Sequence, residues 1–316
     1  DLDRAASTKA AAGRRYSADL VSAVKRFQSR QGFEPDGVIG PTTVAALNRP
    51  FAQRVRQIEL ALERFRWLPV SFSVPPIIVN IPAFRLYALR GATDLEADMI
   101  AMDVVVGESL DTRTPVFAAD MKYLIFRPYW EVPASIMTTE LVPKALDDKK
   151  FLERERLVLV QGDADDAPEL PATRENLERV GKDLRMRQLP GPENALGLVK
   201  FLLPNAHNVY LHDTPAKGVF ARTRRDVSHG CIRLSDPVAL AAHVLRDQPE
   251  WTVERIRDAM NGDDNQRVNL TRPVPVCIVY ATAIALESGD VRFYPDIYGL
   301  DRELDRLLQA GYPYPN

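Results

Sequence analysis

The chain changes texture at Pro75. Before it, apolar residues recur at helical spacing. After it they gather in short β-branched and aromatic runs, which confine the larger part of the chain to a β-rich fold. The runs are Ile77 to Ile81, Arg85 to Leu89, Met102 to Val106, Tyr123 to Phe126, Val199 to Leu203, Asn208 to Leu211, Cys277 to Ala281 and Val291 to Tyr294. With 316 residues there is material for two or three units and a sizeable core. The net charge of -2 and the lack of any long Lys/Arg run argue against a nucleic-acid partner. No run of about 18 apolar residues spans a membrane, and residues 1–15 lack the apolar centre of a secretory signal, so export is not legible in the residues and membrane anchoring stays open.

Residues 16–48 read as a small helical unit following an N-terminal segment, 1–15. Ser17 suits a helix cap, Leu20, Val24 and Phe27 form an apolar face, and Gly32 suits a left-handed terminus. A turn at Pro35-Asp36-Gly37 leads to a second helix with Pro41 in its first turn and Val44 and Leu47 on its apolar face. Residues 49–74 form a helical linker whose apolar set is Val55, Ile58, Leu62 and Phe65. Residues 75–298 carry the strands. They are interrupted at about 131–191 by a long polar insertion with helices expected over 141–152 and 174–186 and an acidic cluster at Asp163, Asp165 and Asp166. An insertion of that length is a lid, a subdomain or a solvated decoration. A helix is expected over 237–247, with His243 on its surface or packed beneath it, and 299–316 form a helical tail.

The chemistry concentrates in Ser228-His229-Gly230-Cys231-Ile232-Arg233, sixteen residues beyond His212. A thiol needs ionisation to attack, and either His212 or His229 is placed to take its proton or to stand beside the thiolate as imidazolium. Gly230 permits close approach of a substrate, and the Gly230 and Cys231 amides are candidate oxyanion donors. The His229 ring either binds substrate or braces the turn. Arg233 either holds a carboxylate or forms a structural ion pair. Tyr210 shares a strand face with His212, and Trp130 is either pocket or core. The other cysteine, Cys277, lies in a β-branched run and reads as a buried hydrophobe rather than a disulfide partner.

This pattern resembles the L,D-transpeptidases, bacterial enzymes with a YkuD-type catalytic domain that cross-link peptidoglycan through a cysteine. Tyr210-Leu211-His212-Asp213-Thr214-Pro215, Asn194-Ala195-Leu196-Gly197 and Lys200-Phe201 resemble the larger periplasmic branch. Residues 16–48 resemble the small helical peptidoglycan-binding domain through Ala23 to Gln28, Asp36 to Gly40, Thr43 and Ala46 to Asn48. The resemblance implies an α+β multidomain protein: a mostly β catalytic domain with a helical capping insertion, and a small all-α peptidoglycan-binding domain. It assigns Cys231 as nucleophile, His212 as base and the Asp213 backbone carbonyl as the group that orients the ring. Ser228, Tyr210, Arg233 and Trp130 are expected to bind substrate. It implies stem peptides as donor and acceptor, carbapenem inhibitors, a periplasmic location, and no metal or organic cofactor. The expected reaction forms 3-to-3 cross-links through a Cys231 thioester with release of D-alanine. An L,D-carboxypeptidase, a protein-to-wall transferase, a zinc hydrolase using His212, Asp213, His229 and Cys231, and a non-catalytic wall-binding scaffold are the rival readings.

Overall fold

The computed structural model describes residues 16–68, 72, 74–89, 99–108, 112–162, 164, 167–286 and 289–311. Asp163, Asp165, Asp166 and residues 1–15 lie outside them, as do 312–316 of the tail.

The helical unit comprises α1 (Ala18–Arg30) and α2 (Pro41–Leu47), and the linker is α3 (Phe51–Phe65). Ser17 caps α1 by accepting from the Leu20 amide, Gly32 turns at φ +65°, and Pro41 starts α2. The buried side of α2 is Thr43, whereas Val44 and Leu47 are exposed. The linker helix α3 is rotated from the expected face. Val55, Leu62 and Phe65 are 51%, 55% and 40% exposed, and Gln57, Leu60, Ala61 and Arg64 point inward. The partners of Gln57 and Arg64 lie far along the chain. Gln57 Nε2 donates to the Thr282 and Tyr294 carbonyls at 2.8 and 2.9 Å, and Arg64 pairs with buried Asp301 at 2.5 Å.

The strand-rich part is a barrel. The strands are β1 (Ile77–Asn80), β2 (Arg85–Leu89), β3 (Met99–Gly107), β4 (Phe117–Phe126), β5 (Trp130–Glu131), β6 (Leu157–Val160), β7 (Glu169–Leu170), β8 (Arg185–Gln188), β9 (Val199–Leu202), β10 (Leu211–His212), β11 (Asp226–Ser228), β12 (Ile232–Leu234), β13 (Gln266–Val279), β14 (Ala283–Ala285) and β15 (Val291–Phe293). The main sheet runs β11-β3-β12-β10-β9-β4-β13-β1-β2, and β2 pairs back onto β3 to close it. Closure removes the free edges that would invite aggregation. Inside lie Val79, Leu86, Val104, Leu124, Phe201, Leu211 and Ile232, covered by helices at Pro237–Val244 and Val253–Asn261. His243 is buried there, and Cys277 is a free, buried thiol on β13.

The insertion has its own core and is less helical than expected. Helices at Ala134–Ile136, Val142–Asp147 and Phe151–Arg154, with a π turn at Met137–Leu141, pack on a sheet ordered β5-β8-β6-β7. The expected helix over 174–186 stops at Arg179. Val180 is extended, Gly181 takes φ +85°, and the chain returns as β8. A final helix, Leu300–Gln309, lies against α3, and a β14–β15 hairpin receives the helical unit. A cleft of about 830 Å³ opens between that unit and residues 220–225 of the barrel.

Candidate active site

The end of β3 carries the Ser228-to-Cys231 turn, because the strands on both sides of that turn hang on β3. β11 pairs with it in parallel at Val106 and Gly107, and β12 antiparallel at Val104 and Val105. Gly230 takes φ +109°, which a side chain would strain. The turn is braced from within and without. The Ser228 hydroxyl donates to the Cys231 carbonyl at 2.6 Å and accepts the Gly230 N–H at 3.2 Å. The Thr112 hydroxyl donates to the Ser228 carbonyl, and that of Thr114 to the Gly230 carbonyl. Ser228 is thus buried, with its hydroxyl committed to bracing the turn, and the Gly230 amide is engaged. A trans peptide points its C=O and N–H in opposite directions, so holding the Gly230 carbonyl on Thr114 turns the Cys231 N–H the other way. That amide is the available oxyanion donor.

Three strands place three basic side chains in one row. His212 on β10 faces Lys200 on β9 and Arg233 on β12. Leu211 and Ile232 point into the core, so alternation puts His212, Arg233, Tyr210 and Cys231 on the opposite face. The His212 Nδ1 lies 2.5 Å from the Asp213 carbonyl oxygen. A carbonyl only accepts, so Nδ1 carries the proton and Nε2 keeps its lone pair. Burial, then the Arg233 charge, and more weakly Lys200, lower the His212 pKa to about 3, against the pull of the Asp213 and Leu196 carbonyls. The ring is a neutral base. The Asp213 carboxylate serves the scaffold: it accepts from the Leu198 N–H at 2.9 Å and from Lys217 Nζ at 2.6 Å. It packs so closely on Gly197 that a Cβ there would lie 2.4 Å from it, which explains the glycine in Asn194-Ala195-Leu196-Gly197.

Burial pushes the Cys231 thiol up, opposed by hydrogen bonds from Tyr210 and by the Lys200 and Arg233 charges. The resting pair is thus neutral thiol and neutral imidazole. The Tyr210 side chain lies beside the sulfur and the Trp130 indole, the Cys231 thiol reaches the Asn208 carbonyl oxygen at 3.9 Å, and Lys200 Nζ sits 3.9 Å from the centre of the Tyr210 ring. Trp130 is on β5, in the insertion's own sheet, so the insertion lies against Tyr210, the neighbour of the sulfur. A second bridge runs from the turn to the insertion: His229 Nε2 lies 2.9 Å from Glu140 Oε1 on the π turn. His229 is half-exposed and tied to the insertion.

The structure therefore gathers Cys231, His212, Gly230, Arg233, Tyr210 and Trp130, keeps Asp213 behind the histidine and puts His229 at the rim. The sequence pattern does not single out Lys200, Thr114 or Glu140 as site residues. Lys200 carried a signal only through its place beside Phe201 in the family-like run. Among the described residues no group of His, Cys, Asp and Glu is arranged to hold a metal ion.

The family model for the YkuD "L,D-transpeptidase catalytic domain" matches residues 76–274. The chain belongs to the YkuD L,D-transpeptidase family. A second model, "Putative peptidoglycan binding domain", matches residues 3–47 of this L,D-transpeptidase family member. A Haemophilus influenzae protein named "Putative L,D-transpeptidase" is 29% identical over 250 residues, covering 79% of this chain and 49% of that protein. The chain thus spans about half the length of that curated relative. Among solved structures, L,D-transpeptidase 3 from Mycobacterium tuberculosis matches at 14% identity and TM-score 0.28 over 65% of this chain and 61% of its own. The same protein with a faropenem-derived adduct gives 15% and 0.28 over 65% and 60%. The L,D-transpeptidase from Xylanimonas cellulosilytica gives 14% and 0.27 over 88% and 90%.

Proposed function

We propose that the protein is a periplasmic peptidoglycan L,D-transpeptidase that joins stem peptides by 3-to-3 cross-links. The observation that carries the reading is a cysteine sharing a strand face with a neutral histidine whose Nδ1 proton is committed to the Asp213 carbonyl. Nε2 of His212 takes the thiol proton as sulfur attacks the carbonyl of the third residue of a donor tetrapeptide. The oxyanion forms against the Cys231 N–H, and donors of this kind are worth about 10²–10³ in rate. The imidazolium then protonates the departing D-alanine amine, leaving a thioester. The side-chain amine of a second stem's diaminopimelate attacks that thioester, returns a proton to His212 and releases the thiolate. Trp130 and the insertion around Glu140 shield the thioester from water, which favours the amine as acceptor. The helical unit holds the wall polymer, and carbapenems acylate Cys231.

The test is mass spectrometry of the protein and of Cys231→Ala with purified disaccharide-tetrapeptide. The expected result is loss of D-alanine with dimer formation, absent in the variant. Tripeptide monomer alone would convert the reading to a carboxypeptidase, and no Cys231-dependent product would overturn it.

A further inference from the structure

We propose that Lys200 and Arg233 together hold the terminal carboxylate of the residue that leaves the donor stem. The inference rests on acyl transfer at Cys231 and adds which carboxylate is read and by what. In the register of the barrel the two cations flank His212, one strand away on each side and on the face that carries Cys231. Among the described residues no carboxylate pairs with either. Asp213 is engaged by Lys217 and the Leu198 amide, and Glu131, whose charge reaches Lys200, is engaged by Arg187. His212 is neutral and adds no charge. The buried Nε of Arg233 has no hydrogen-bond partner, and Lys200 contacts the Tyr210 ring rather than an anion.

Two partly buried cations on either side of one neutral histidine, neither paired with a carboxylate, are costly, and a ligand that supplies the anion offsets that cost. A leaving residue at the chain terminus has its carboxylate only two bonds beyond the scissile nitrogen, within about 4 Å of the carbonyl that Cys231 attacks. Cys231 and Arg233 are two residues apart on one face, a separation of about 6.6 Å. Long basic side chains span that gap. The row therefore selects donors that end one residue past the scissile bond and turns away longer or blocked stems.

The experiment compares two donors with the full chain: disaccharide-tetrapeptide with a free terminal carboxylate, and the same compound as its terminal carboxamide. Release of the terminal residue gives kcat/KM for wild type, Lys200→Met and Lys200→Arg. Wild type should prefer the acid by on the order of 10- to 100-fold, the usual worth of charge-assisted hydrogen bonds. Lys200→Met should lose most of that preference by losing acid turnover, and Lys200→Arg should keep it. Equal use of both donors by wild type overturns the proposal without any variant having to fold. Equal slowing of both donors in Lys200→Met also overturns it and assigns Lys200 to charge stabilisation at the sulfur. In both cases acyl transfer at Cys231 survives, whereas wild type releasing nothing from either donor removes that reading and the proposal with it.

Discussion

The Thr114 hydroxyl and the Gly230 carbonyl oxygen lie 2.8 Å apart, joined across 116 residues of chain. The same hydroxyl accepts the Gly107 N–H at 2.8 Å, and the Tyr298 hydroxyl donates to the Gly107 carbonyl at 2.6 Å. The Gly230 peptide is thereby locked from behind, and the Cys231 amide is aimed without any side chain entering the site. Thr114 is a positioning residue. Thr114→Val should lower kcat about 10- to 100-fold with KM nearly unchanged, a fraction of the full worth of an oxyanion donor. Thr114→Ser should restore most of the rate. A purely structural threonine would instead show its loss in thermal stability, with no split between kcat and KM.

The neutral state of His212 has a measurable sign. Its folded pKa of about 3 lies below the ordinary 6.5, so the unfolded chain takes up the proton first. Stability is then lost as pH falls from about 6.5 toward 3, by at most about 1.4 kcal/mol per pH unit for one group. His212→Asn retains a donor for the Asp213 carbonyl and cannot titrate. Urea unfolding at pH 6.5 and 4.5 should show a smaller loss in this variant than in wild type; equal losses would mean that the imidazole is not held neutral.

Glu140 joins the insertion to the nucleophile turn through an exposed contact. Such pairs contribute at most about 1 kcal/mol, so Glu140→Gln should barely move the melting temperature. Its effect belongs to local opening. Amide exchange across residues 137–147 should quicken while the barrel strands stay protected. Unchanged exchange there would show that Trp130 and packing alone hold the insertion down.

Arg64 and Asp301 are a different kind of pair. Both are buried; burial pushes the Asp301 carboxyl up, while Arg64 and the Thr282 hydroxyl pull it back. Removing one partner strands a charge, so Arg64→Ala should cost about 3–5 kcal/mol in denaturant unfolding. Arg64→Met combined with Asp301→Leu should recover much of that loss. If Arg64→Ala unfolds like wild type, the pair is not buried in solution.

The parts of the molecule that were legible in the sequence are those set by near neighbours. The β2 strand, the Ser17 cap, the Gly32 turn and the nucleophile run are all local patterns, and each is where its residues point. What stayed hidden depends on distant partners. Val55, Ile58, Leu62 and Phe65 have good helical spacing, but the side of α3 that docks is set by carbonyls at Thr282 and Tyr294 and by Asp301, more than 200 residues away. Lys200 looks like any strand residue until the β9–β10 register sets it opposite His212. Thr114 meets Gly230 across 116 residues, and Tyr298 meets Gly107 across 191. The reversal at Gly181 depends on a φ of +85° that glycine permits but does not dictate, and the helix expected over 174–186 runs across it.

The segment that reads as a tether is a strut. Gln57 and Arg64 complete hydrogen bonds of the β14–β15 hairpin and of the helix beginning at Leu300. A fragment starting at Pro75 would keep every residue of the site and still leave these groups without partners. The smallest fragment that folds on its own should therefore begin near Phe51, and residues 16–48 cannot swing on α3 as on a flexible arm.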